Sequence, residues 1–174
     1  MLTSILLLFT GLMHAPATPS DTTGWKSLES NKYDAKYPTT WQAETYENAT
    51  LEFSITSAPE DEDDNYSEFV SLAALALPGL NKTLDSYVNE FVKDIPFTYK
   101  KSVIIKNEKA TKAGKACYVL EYAGVINEFP VAYLQYIWFE HDVCYTLSYT
   151  AQQGSYERFK EKAVLIMDSF TFKQ

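Results

Sequence analysis

The chain has 174 residues, 15 Lys and Arg against 23 Asp and Glu, a formal net charge of −8 and 46% hydrophobic content. That length can bury a core as one domain without staples. The acidic balance excludes nucleic acid and anionic membrane as main partners, because both require a basic footprint, and favours a soluble protein or a basic partner.

Residues 2–13 form an apolar run too short to span a bilayer and of the right length for the core of a signal peptide. Ala15 and Ala17 place small residues at −3 and −1, so cleavage is expected after Ala17, giving a signal peptide over 1–17. No Lys or Arg precedes the run, which leaves an uncleaved anchor as the alternative. Residues 18–24 are polar, contain Pro19 and read as a disordered leader, and the folded domain is expected over 25–174.

Residues 33–37 alternate as a first short strand, and Pro38 to Thr40 make a turn. Residues 41–46 and 50–56 form the pattern of a hairpin, with Leu51, Phe53 and Ile55 on its buried face. Five consecutive acids, Glu60, Asp61, Glu62, Asp63 and Asp64, repel one another and mark a loop. A strand over 69–77 ends at Pro78 and Gly79. Leu84, Tyr87, Val88, Phe91, Val92 and Ile95 then fall on one helical stripe, with Thr83 as N-cap and Pro96 as the stop. Val103 to Ile105 read as a strand, followed by a lysine-rich turn over 107–114.

The last third predicts a three-strand meander (115–122, 130–139 and 143–149) and a helix over 156–170 capped by Ser155. The middle strand is apolar at nearly every position, the signature of a strand covered on both faces. Seven or eight largely antiparallel strands and two helices define an α+β fold: one domain with a central antiparallel sheet and helices on both faces. In a meander the middle strand separates Cys117 from Cys144. Their Cα atoms would then be about 9–10 Å apart, beyond the ~7 Å reach of a disulfide; a Cys117–Cys144 bridge stays open only if the strand order is not a simple meander.

The order of these pieces resembles the PsbP-like superfamily, which includes the extrinsic photosystem II protein, the lipoprotein DcrB, related bacterial envelope proteins and a Ran-binding nuclear import factor. Four elements carry the resemblance: Tyr37-Pro38-Thr39-Thr40-Trp41; Gly114-Lys115-Ala116 leading into 118–122; Tyr145, Leu147 and Tyr149; and a terminal helix closing on Ser169 and Phe170. It spans residues 25–172 and implies an α/β/α sandwich. The photosystem subunit retains calcium and chloride through an N-terminal extension, where this chain has only a short leader. Fold analogy therefore transfers little function.

Chemistry-bearing residues are sparse. Beyond the signal segment there is one histidine, His141, beside Asp142. A Ser-His-Asp arrangement would need Ser148 or Ser155 brought to it, with no nucleophile-elbow glycines in support. One His and two separated Cys lack the spacing of a transition-metal site. Glu60, Asp61, Glu62, Asp63 and Asp64 are the candidate cation site, for calcium or manganese, although the acids are consecutive and lack the glycine of a calcium loop. Lys100, Lys101, Lys106, Lys109, Lys112 and Lys115 form a basic patch able to meet an acidic partner or the acidic run of a neighbouring molecule. Asn48, Asn65 and Asn81 head N-glycosylation triplets.

The expectation is an exported, periplasmic or extracellular protein, not an enzyme and without a dedicated cofactor. It would act by binding an unidentified protein partner, with no nucleic acid and no integral membrane segment after cleavage. The alternative is a carrier of a small apolar ligand or a divalent cation.

Overall fold

Why the last third carries so much of the architecture is clear from the computed structural model, which describes residues 22–47, 50–62, 64, 66–79 and 82–173. The signal segment and most of the leader lie outside these residues. Among those described, the elements are β1 (Lys26–Glu29), β2 (Tyr33–Tyr37), β3 (Gln42–Thr45), β4 (Leu51–Thr56), β5 (Phe69–Ala76), α1 (Leu84–Thr98), β6 (Lys100–Lys112), β7 (Lys115–Ile126), β8 (Phe129–Glu140), β9 (Val143–Gln152), α2 (Tyr156–Ser169) and β10 (Thr171–Phe172). The main sheet is antiparallel and ordered β3-β4-β5-β9-β8-β7-β6, and a small sheet is ordered β1-β2-β10. The ten strands among the described residues exceed the seven or eight expected because β1 and β10 both pair with β2, the latter from the far end of the chain.

Alternation along β7 and β8 sorts side chains onto the two faces. Cys117, Val119, Leu134, Tyr136 and Trp138 join a core with Ala163, Ile166 and Met167 of α2. Tyr118, Leu120, Tyr122 and Ile137 join a second core with Val88 and Ile95 of α1. A helix therefore covers each face, and β8 is the two-sided strand its composition predicts. Strand β8 also lies between the cysteine strands. Cys117 and Cys144 are free and belong to opposite faces of the sheet.

The three hairpins of this region turn on two residues each, Ala113–Gly114, Asn127–Glu128 and His141–Asp142, all at positive φ. That geometry matches the right-handed twist of the flanking strands. Gly124, inside β7, is required for a different reason. A Cβ there would stand 2.6 Å from Tyr99 Cβ and 3.4 Å from the Lys100 carbonyl oxygen. Gly124→Ala should cost about 1–3 kcal/mol in a thermal melt, whereas Gly154→Ala, with nothing within 4 Å, should change stability by less than about 0.5 kcal/mol. Equal effects would contradict the close approach of α1's exit to β7.

Two helix boundaries differ from expectation. Thr83 caps α1 with a reciprocal bond to Ser86, but the helix passes through Pro96 to Thr98. A proline in the last turn forfeits one backbone bond while its fixed φ remains helical, and the Tyr99 N–H closes the turn on the Ile95 carbonyl at 2.8 Å. Ser155 precedes α2 without making a side-chain cap. Its hydroxyl donates instead to the buried Glu68 carboxylate at 2.5 Å, whose other oxygen accepts from Ser57 at 3.2 Å. The Glu68 side chain thus takes the hydroxyl that would otherwise cap α2.

Candidate functional site

Among the described residues, strand β6 forms one end of the main sheet and pairs only with β7. The lysine-rich turn expected over 107–114 is strand as far as Lys112, with the reversal confined to Ala113 and Gly114. Extended backbone places successive lysines on alternate faces and separates them, so the charge density that looks loop-like is tolerable on an edge. Val103 and Ile105 are 54% and 57% exposed, and Ile104 is also exposed. Register shifts fall at 100–103 and 104–106, after which Lys106 to Lys112 pair without interruption with Glu121 to Lys115.

On the α2 side of this edge, Lys106, Lys112 and Lys160 rim an open groove of about 350 Å³ floored by Val119, Leu134 and Val164. On the α1 side, Lys109 donates to Asp85 at 2.7 Å. That ammonium, helped by the Tyr118 hydroxyl, holds the Asp85 carboxyl below its ordinary range. Lys112 bonds Asp168 at 2.6 Å. Lys100 and Lys101 form no ion pair among the described residues. At the same end of the sheet, Phe97 and Phe129 are 89% and 60% exposed.

A second concave region lies where the small sheet meets the β8–β9 turn. A cleft of about 360 Å³ is lined by Lys32, Glu52, Lys115, Glu140, His141 and Tyr145, among others. Its charges are paired: Lys32 bonds Glu52 and Lys115 bonds Glu140 within the cleft, and Lys173 reaches Asp34 outside it, all at 2.8 Å. A neighbouring cleft of about 510 Å³ shares the Lys32–Glu52 pair. Both open to solvent.

The remaining sequence candidates are dispersed. Glu60 pairs with Arg158 at the start of α2. Asp64 accepts from the Glu60 and Tyr66 backbone N–H groups at 2.9 and 3.2 Å, which lowers its pKa. Asp61 and Glu62 are exposed, and Asp63 lies outside the described residues, as do Asn48, Asn65 and Asn81. Among the described residues, no three His, Cys, Asp or Glu side chains are grouped to hold a metal ion.

Burial pushes the Cys117 and Cys144 thiols up. His141 and Ser155 sit at opposite ends of β9, and Ser148 is roughly 20 Å along the strand from the His141 turn at about 3.3 Å per residue. The fold does not bring these groups together. Sequence reasoning missed the buried Glu121, which accepts from Tyr156 at 3.0 Å and Lys160 at 2.5 Å. Its place in an alternating strand looked outward-facing, and its partners lie in a helix distant in sequence.

An antiparallel sheet sandwiched between two helices, with a small sheet beside the terminal helix, defines the class: an α+β sandwich of PsbP type. The chain belongs to the PsbP family, whose model matches residues 23–172. The solution structure of cyanobacterial PsbP (CyanoP) from Synechocystis shares the fold at a TM-score of 0.59 and 16% identity, covering 93% of this chain and 99% of that one. LpqN of Mycobacterium tuberculosis, described as involved in cell envelope biogenesis, gives 0.60 and 14%, covering 86% and 91%. No match exists among curated protein sequences. No helix of the described residues is long and apolar enough to cross a membrane.

Proposed function

We propose that this chain is an exported, non-catalytic PsbP-family accessory protein that works by binding another macromolecule. The observation that carries the reading is the edge of the main sheet, where Val103, Ile104 and Ile105 face solvent on a lysine-rich strand. Apolar side chains left in contact with water on an otherwise well-buried fold mark contact surfaces. Export is supported by the signal-like N-terminus and by the envelope role of LpqN.

The alternative, a carrier of a small apolar ligand or a divalent cation, has less support. Ligand carriers enclose most of their cargo, and the clefts are open. Glu60 and Asp64 are already engaged by Arg158 and by backbone N–H groups.

The test is affinity capture of the tagged chain, lacking residues 1–17, from the source envelope or secreted fraction, with mass spectrometry of what is retained. A reproducible stoichiometric partner is expected. A clean protein that instead keeps a small ligand or ion in native mass spectrometry would overturn the reading in favour of a carrier.

A further inference from the structure

We infer that the free edge of β6 takes up an acidic, extended peptide segment as an added strand along residues 106–112. This rests on the binding-module reading and names the chemistry of its partner. Because β6 pairs only with β7 among the described residues, the backbone N–H and C=O groups on its outer side have no strand partner there. Such an edge is a template for another strand unless it is blunted. The two register shifts blunt only its first half. Residues 106–112 run in unbroken register and span about 20 Å, enough for a strand of ordinary length.

Charge selects the occupant. The strip carries three lysines, Lys106, Lys109 and Lys112, against one glutamate, Glu108, in a chain whose net charge is −8. The lysines lie on both faces of the edge, Lys106 and Lys112 towards the α2 groove and Lys109 towards α1. An added strand places its side chains alternately on those same two faces, so acids along it would meet cations on either side. Ion pairs already formed by Lys106, Lys109 and Lys112 are surface pairs with Glu108, Asp85 and Asp168, open to exchange. A second copy of this chain is a poorer occupant, because edge-to-edge pairing of β6 with itself would bring lysine rows together. The exposed Val103 and Ile105 adjoin the strip and offer apolar contact to a segment continuing past it.

The test uses the exported chain and a fluorescent heptapeptide of sequence Val-Glu-Glu-Val-Glu-Glu-Val, which sets Glu on both faces of the added strand, blocked at both ends and read by anisotropy. The acidic peptide should bind and its Lys-for-Glu counterpart should not. N-methylation of alternate amides removes strand hydrogen bonds while keeping every charge, and should weaken binding at least tenfold. The double variant Ile105→Glu, Lys106→Glu should do the same with an unchanged melting temperature. Raising salt should weaken the acidic peptide's binding several-fold.

Equal binding of the N-methylated peptide would overturn strand addition, as would no binding of the acidic peptide at millimolar concentration. A dimer in sedimentation that Ile105→Glu disperses would assign the edge to a second copy and overturn the peptide proposal. The two readings fail separately. A captured partner retained by the double variant would sink the edge proposal and leave the binding module intact, whereas peptide binding with no captured partner would do the reverse.

Discussion

Raising the pH from about 9 to about 11.5 should unfold this protein cooperatively, because its core tyrosines resist ionisation. Tyr122, Tyr136, Tyr149 and Tyr156 are all buried. Burial pushes each hydroxyl well above its ordinary range, and nearby groups add to the shift: Tyr99 for Tyr122, Asp168 for Tyr136, Glu68 for Tyr149 and Glu121 for Tyr156. Two of these hydroxyls donate directly to carboxylates, Tyr136 to Asp168 at 2.9 Å and Tyr156 to Glu121 at 3.0 Å. Ionising either would set two negative charges against each other.

The sign of the effect follows from the raised folded pKa. The stability these groups contribute is whole below the unfolded tyrosine pKa of about 10 and is lost as pH rises towards the folded value. Each group loses about 1.4 kcal/mol per pH unit above that point. Four of them cost about 5–6 kcal/mol by about pH 11, comparable to the whole stability of an ordinary domain. Near-ultraviolet tyrosinate absorbance and circular dichroism should therefore change together near that pH. A smooth absorbance rise centred near pH 10 with unchanged dichroism would show that these hydroxyls reach solvent. In Tyr149→Phe, the dependence of stability on pH in that window should become shallower by about 1.4 kcal/mol per pH unit.

Much of this core was legible in the sequence because its pattern is local. The stripe from Leu84 to Ile95 predicts α1, and the apolar run from Val131 to Phe139 predicts a strand with helices on both sides. What was not legible depends on distant pairing. Nothing near Thr171 and Phe172 announces that they pair with Asp34 and Tyr33. Glu121 looks like an outward residue until α2 delivers Tyr156 and Lys160 to it. Ser155 looks like a cap until Glu68, from the other end of the domain, takes its hydroxyl.

The candidate site divides the same way. Its lysines were visible as a set, but their number argued for a turn, and only the pairing of β6 with β7 shows that five of them lie on the edge strand while Lys115, in β7, faces the cleft beside Glu140. The acidic run was equally visible, and only the fold shows Glu60 on Arg158 and Asp64 spent on the backbone N–H groups of its own loop.

Apolar residues of β6 and β8 are alike in composition and opposite in energetic role, and a pair of substitutions should separate them. Trp138→Ala should lose about 3–5 kcal/mol in urea unfolding, whereas Ile105→Ala should lose less than about 0.5 kcal/mol. Trp138 is fully buried where three parts of the fold meet. Its ring lies 6.1 Å from Tyr136 in the same strand, 5.8 Å from Phe170 at the end of α2 and 5.4 Å from Phe172 in β10. Removing it opens a cavity beneath α2 and takes away one of the contacts that tie the small sheet to the large one, beside Tyr33–Phe53 and Tyr145–Phe172.

The indole also donates from Nε1 to the Lys112 carbonyl at 3.2 Å, fixing the end of β6. Trp138→Phe should therefore keep most of the ring contact, lose about 1–2 kcal/mol and speed hydrogen exchange in the last residues of β6 and the first of β7. If Trp138→Ala cost no more than Ile105→Ala, the two-sided burial of β8 would be wrong. If Trp138→Phe left exchange unchanged, the edge strand would owe its order to pairing with β7 alone.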